Sequence, residues 1–271
     1  MRALLTRLKK AETAMQSRLS AAPAVARLRG DPTSLMCLAG MRPDPWQEKL
    51  LRTDADQVLL LCSRQAGKSQ IAAALALKTA LLRPRSPVLL LSPTLRQSGE
   101  LFRKVVDLFN ASGRPVGVVS ESALRMEFAN SSRIVSLPGD EKNIRGYSGV
   151  ALLVIDEAAR VTDPLYLAVR PMLAVSRGRL VALSTPFGKR GWFHDEWHGP
   201  GSWERVRVTA DQCPRITPEF LAEERRALGD RWYKQEYMTD FTECIDAVFS
   251  FADIQAALSA DVKPLFAEAS T

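Results

Sequence analysis

The chain predicts an α/β fold with a doubly wound, mostly parallel sheet, and three features carry that expectation. Four short apolar runs, Val58–Cys62, Val88–Ser92, Ala151–Ile155 and Leu180–Ser184, are continuous rather than alternating, as strands buried on both faces must be. Longer helical patterns lie between them, notably Gln70–Leu82 and Gly99–Asn110. Several runs end in a turn or polar site, and ligands of such sheets collect beyond the carboxyl ends of the strands.

Composition sets the limits. A length of 271 residues suits one large domain or one domain with a small appendage, and would cramp a helicase with two motor lobes. With 46% apolar and 25% charged residues, the chain has enough material for a proper core, which excludes disordered and collagen-like classes. An excess of 37 Lys and Arg over 30 Asp and Glu gives +7, which permits a polyanionic partner without establishing one. Cys37, Cys62, Cys213 and Cys244 form no CxxC pair or zinc spacing, so reduced thiols are expected. The apolar runs are strand-length, short of the roughly 20 residues a membrane helix needs.

Taken in order, residues 1–40 form a basic arm in which Leu4, Leu5, Leu8, Ala11, Met15 and Leu19 fall near helical spacing. An amphipathic helix packing on its own body or on a neighbour is the plainer reading of it, and a targeting segment the other. The βαβ rhythm follows Pro43 and Pro45. Between Val116 and Leu137 three shorter runs, Val116–Val119, Leu124–Phe128 and Arg133–Leu137, suggest antiparallel strands inserted in the sheet or added to it. Beyond about Arg205 the sequence reads as helical and charged, with Thr217 before Pro218 as an N-cap and Asp230 as a second cap.

The strongest motif is Cys62-Ser63-Arg64-Gln65-Ala66-Gly67-Lys68-Ser69, placed between an expected strand and an expected helix as a P-loop must be. Its backbone N–H groups and the helix N-terminus can cradle phosphates, Lys68 can reach the β and γ phosphates, and the Ser69 hydroxyl can bind Mg²⁺. Cys62 stands where the usual pattern has its first glycine. An apolar strand then delivers the adjacent acids Asp156 and Glu157, suited to holding Mg²⁺ and to positioning and deprotonating water; a helix cap is the alternative for the pair. Ser184-Thr185-Pro186 ends another strand, either as a γ-phosphate sensor or as a plain turn. Gln47, in Pro45-Trp46-Gln47, either reads the adenine edge with its paired donor and acceptor or is a surface residue.

Together these residues resemble the ATPase domain of the large terminase subunit, the DNA-packaging motor of tailed bacteriophages and herpesviruses. The resemblance runs from about Met41 to Phe249 and also includes Ser92-Pro93-Thr94 with Gln97, Gly188, Gln235-Glu236-Tyr237, Phe241, Ala247 and Phe249. It implies a P-loop NTPase core of ASCE type over 41–205, a small helical lid over 206–250 and a linker over 251–271. The implied cofactors are ATP and Mg²⁺. The implied nucleotide contacts are Gln47, Ser63, Arg64, Gln65, Ala66, Gly67, Lys68 and Ser69, with Ser69 and Asp156 at the metal and Glu157 as the catalytic acid. Ser184, Thr185 and Pro186 would couple hydrolysis to motion. Arg64 resembles a P-loop arginine with a finger or sensor role, and Arg145 resembles an arginine offered in trans, with a surface turn as its alternative.

The implied partners are double-stranded DNA, a homo-oligomeric ring on a portal and a small terminase subunit, in host cytoplasm and away from membranes. The RNase H-like nuclease usual in that family cannot fit in Phe251–Thr271, so DNA cutting is not expected of this chain. A helicase-like or repair ATPase and a nucleotide-gated DNA-binding module stand as the competing readings.

Overall fold

A computed structural model describes residues 23–139, 144, 146–242 and 257. The expectations for Leu4 to Leu19, Arg145, Cys244, Ala247, Phe249 and, apart from residue 257, the linker lie outside the described residues. The strands are β1 (Gln57–Cys62), β2 (Pro87–Ser92), β3 (Val118–Glu121), β4 (Arg125–Phe128), β5 (Arg133–Pro138), β6 (Leu152–Asp156), β7 (Arg179–Ser184) and β8 (Glu204–Val208). They form one sheet in the order β3-β4-β5-β2-β6-β7-β1-β8. The β3–β4 and β4–β5 pairs are antiparallel and every other pair is parallel. The three runs between 116 and 137 are therefore an edge addition, although β5 itself lies parallel to β2 and only its other side is antiparallel.

Helices α1 (Ser34–Leu38), α2 (Pro45–Arg52), α3 (Lys68–Leu82), α4 (Leu95–Ala111), α5 (Asp163–Val169), α6 (Gly191–His198) and α7 (Pro218–Glu236) accompany the strands, with a further helical stretch over 23–30. Alternation along each central strand splits the core in two. Val58, Leu60, Val88, Leu90, Leu152, Val154, Val181 and Leu183 face a layer containing α3 and α4; Leu59, Leu61, Leu89, Leu91, Leu153, Ile155, Leu180 and Ala182 face one containing α5 and α6. Leu28, Leu35 and Met36 join the first layer, so this part of the expected arm packs on its own body. The alanines of α3 at positions 72, 73, 74, 76 and 80 are fully buried, and their small size lets the helix lie close to both the sheet and α4.

Two differences from the sequence reading have physical causes. β8 is a parallel edge strand beside β1, and the expected core end at 205 falls inside it. Its Glu-Arg-Val-Arg-Val sequence hides the strand because an edge tolerates charge: Arg205 Nη2 donates to the Glu196 and Gly199 carbonyls at 2.8 and 2.7 Å. Thr217 does cap α7, accepting from Phe220 N–H at 3.2 Å, but the break expected at Asp230 falls one residue earlier, at Gly229. The helix kinks at Gly229 (φ 74°, ψ 162°), and the Asp230 carboxylate takes Arg225 Nε at 2.5 Å.

Gly178 closes the turn into β7, and a Cβ there would lie 1.9 Å from the Val150 carbonyl oxygen and 2.8 Å from Leu173 Cδ2. Backbone cannot yield as a flexible side chain does, so Gly178→Ala should destabilise the chain by about 1–3 kcal/mol or more. Urea denaturation checks this, and a midpoint equal to the parent's would contradict it.

Candidate nucleotide site

Parallel register brings the polar strand tips to one level. In β7, Leu183 pairs with Asp156 of β6 while Ser184 pairs with Leu61 of β1. β7 thus separates the P-loop strand from the acid strand, leaving a gap of about 10 Å between their tips. The loop 63–67 crosses this edge and enters α3. Gln65 (φ 59°) and Gly67 (φ 93°) both adopt left-handed backbone there. Gly67 is constrained twice, since a Cβ would also come 2.9 Å from Gln47 Nε2.

The loop is held from below and behind. Ser63 N–H donates to the Val208 carbonyl at 2.8 Å, and Arg64 N–H to the Glu236 carbonyl at 2.9 Å. Lys68 is buried, and its Nζ donates to the Ser63 carbonyl at 3.1 Å. Ser69 Oγ donates to Asp156 Oδ2 at 3.2 Å, so the loop and the acid strand touch. Arg64 Nε stands 3.8 Å from Glu236 Oε2 at the end of α7.

Glu157 leaves β6 in left-handed backbone (φ 51°, ψ 43°), a conformation that costs a non-glycine residue about 1 kcal/mol or more and collects at functional sites. Its N–H donates to Asp156 Oδ1 at 3.1 Å, and Ala159 N–H donates to Ser184 Oγ at 3.2 Å, which fixes the turn after the acids to the β7 tip. Glu157 Oε2 lies 3.8 Å from Arg160 Nε, and the Arg160 guanidinium sits 4.2 Å from the Phe187 ring centroid. Asp156 is not the cap of a following helix: that position belongs to Glu157 itself, ahead of a single 3₁₀ turn, Ala158–Arg160.

A cavity of about 1280 Å³ opens over these tips, lined among others by Gln47, Arg64, Gln65, Gly67, Lys68, Ser69, Glu157 and Thr185. Ser63, Ala66, Asp156, Ser184 and Pro186 are buried and are not among its lining residues. Gln47 is buried too, and its Oε1 accepts from the Asp44 N–H at 2.9 Å, so one side of the expected adenine-reading amide is already engaged. Sequence reasoning assigns no role to Asp44, Arg160 or Arg215, and places Glu236 only within the family resemblance. An Asp-Pro-x-Gln capping pattern marks Asp44, whereas Arg215 carries no local signal and meets Asp44 only through the fold.

Comparison with known proteins bears on the fold and the family. Residues 59–256 match the family described as terminase large subunit, T4likevirus-type, N-terminal. The chain belongs to this family. The large terminase subunit of Thermus virus P23-45 is 26% identical over 255 residues, covering 80% of this chain and 52% of the relative. That of Escherichia phage T5 is 25% identical over 189 residues, covering 66% of this chain and 42% of the relative. The chain thus spans about half the length of the curated relatives it matches. Among solved structures, the large terminase ATPase domain of Thermus phage P74-26 superposes with a TM-score of 0.66 at 23% identity, covering 76% of this chain and 96% of that one. The large terminase of a thermophilic bacteriophage gives 0.61 at 16% identity, covering 74% of this chain and 54% of that one. The fold is therefore the terminase ATPase fold, a P-loop core of ASCE type. No helix among the described residues is long and apolar enough to cross a membrane.

Burial, and then the neighbouring charge of Glu157, push the Asp156 carboxyl up to about 6, with Lys68 opposing. A carboxyl raised on folding binds its proton more tightly in the folded chain. Its contribution to stability is therefore complete below about pH 4 and is lost as pH rises through about 6. In buffer free of metal and nucleotide, Asp156→Asn should remove that loss, so the change in denaturation midpoint on going from about pH 4 to about pH 7.5 should be more favourable than in the parent. A change equal to the parent's would contradict the assignment.

Proposed function

We propose that this chain is the ATP-hydrolysing motor portion of a large terminase subunit, coupling Mg-ATP hydrolysis to translocation of double-stranded DNA into a procapsid. The observation that carries this reading is the 3.2 Å contact of Ser69 with Asp156, with Glu157 beside it on the wall of one cavity. A phosphate nest and a pair of acids facing each other across one strand are what a magnesium nucleotide requires. The large terminase of the same thermophilic bacteriophage has been solved with ADP and with ATP-gamma-S, which supports the same ligand class here.

The residues divide the work. N–H groups of 65–69, at the end of the loop and the N-terminus of α3, bind phosphate oxygens, while those of Ser63 and Arg64 stay on the Val208 and Glu236 carbonyls, and Lys68 exchanges the Ser63 carbonyl for the β and γ phosphates. Ser69 and Asp156 would hold Mg²⁺, a hard cation that takes few protein oxygens and completes its shell with phosphate and water. A metal held by these two oxygens would supply positive charge against the transferring phosphoryl group. Glu157 orients and deprotonates the attacking water. Ser184 grips the turn that carries Glu157, so a shift at the γ-phosphate reaches Thr185 and Pro186 and then the next segment. Arg64, tied to Glu236, links the P-loop to the lid helix and is the cis candidate for a finger or sensor.

The implied surroundings are a homo-oligomeric ring on a portal with a small terminase subunit and DNA, in the host cytoplasm. Arg145 is the candidate to reach a neighbour's nucleotide within that ring.

Two outcomes follow. Glu157→Ala should keep ATP affinity within a few-fold while steady-state turnover drops by about 10²–10⁴; near-parental turnover would remove the role. With DNA and partner subunits present, specific ATPase activity should rise with protein concentration, and Arg145→Ala should reduce it by about 10³ or more. Concentration-independent activity that survives Arg145→Ala would exclude a trans arginine at this position.

A further inference from the structure

Arg215 lines the cavity with both of its terminal nitrogens committed to a buried carboxylate. Its Nη1 and Nη2 donate to Asp44 Oδ1 and Oδ2 at 2.8 and 2.7 Å, a two-pronged pairing that fixes the guanidinium plane. Nη2 also reaches the Ala66 carbonyl of the P-loop at 3.4 Å. Asp44 is 5% exposed on its side chain and Arg215 50%, so the pair is anchored on one side and open to a ligand on the other.

That arrangement suits a base better than a phosphate. An arginine meant for phosphate keeps its fork free, but this fork is filled and its charge is balanced by Asp44. The two-pronged edge is thus closed to a phosphate, whereas the flat face of the guanidinium, which stacks well on aromatic rings, is open to a ligand. The surroundings agree: Gln47 Nε2 lies against Gly67, next to the Arg215 Nη2 that stands 3.8 Å from the same Gly67 Cβ position, and Met36, Met41, Pro43 and Pro214 add apolar wall.

We infer that Arg215 is the base platform of the nucleotide pocket, stacking on the purine while Gln47 meets its edge; this rests on the nucleotide reading above. Arg215 precedes α7, and Glu236 at the far end of α7 meets Arg64. Both ends of the lid segment therefore touch the bound nucleotide's surroundings, one at the base and one at the phosphates.

The test compares ADP with inorganic tripolyphosphate, which has the phosphates but no base, using the full chain and calorimetry in the presence of Mg²⁺. Arg215→Ala leaves Asp44 buried and unpaired, so Arg215→Lys, which keeps the charge but loses the plane, is measured beside it. For both, ADP affinity should fall about tenfold, in the range of one stacking contact, while tripolyphosphate affinity stays within about twofold. Equal losses for both ligands, or no loss for ADP with Arg215→Lys, would overturn the platform while leaving the nucleotide site intact. A parent chain that binds neither ligand would overturn the nucleotide reading and the platform with it.

Discussion

The in-register parallel pairing of β1, β7 and β6 is the constraint on which the site depends. Three strands ending at one level set a glycine-bearing phosphate loop, a serine and two acids along a single edge, with the serine strand between the others. The apolar runs that fix the register are buried on both faces, so a slip would cost the core and the site together. Site geometry here is inherited from core packing rather than built by loops alone.

The same logic explains why polar strain collects at the tips. Glu157 takes left-handed backbone, Asp156 carries a carboxyl raised by burial, and Gly67 admits no side chain. The first two are unfavourable by themselves and are held by contacts from other elements, Ser184 for the turn and Ser69 for the carboxylate, while glycine takes its positive φ without cost. The segment after β8 adds a second restraint, since Arg215 Nη2 donates to the Ala66 carbonyl and the Glu236 carbonyl accepts from Arg64 N–H.

Much of this is legible in the sequence, for identifiable reasons. β1, β2, β6 and β7 announce themselves because central parallel strands are apolar on both faces, and the P-loop and the acid pair follow from what stands at their ends. β8 is hidden because its edge position allows arginines on the strand, and the break expected at Asp230 falls one residue earlier, at Gly229, leaving the Asp230 carboxylate to Arg225. Gln47 reads as a free amide in the sequence, whereas the fold commits its carbonyl to Asp44. Arg215 and Asp44 cannot be paired beforehand, since nothing local to either residue encodes a contact that depends on how the segment after β8 returns across the loop. The family resemblance is carried by the motifs and matches the fold; the individual residue roles rest on geometry and chemistry.

A structure of the chain with Mg²⁺ and a nonhydrolysable ATP analogue tests the central claim most directly. The expected result is one metal between Ser69 and Asp156, Lys68 turned from the Ser63 carbonyl onto the phosphates, and Glu157 within one water of the terminal phosphorus. A nucleotide seated away from the β1 and β6 tips, or a metal held without Asp156, would contradict it.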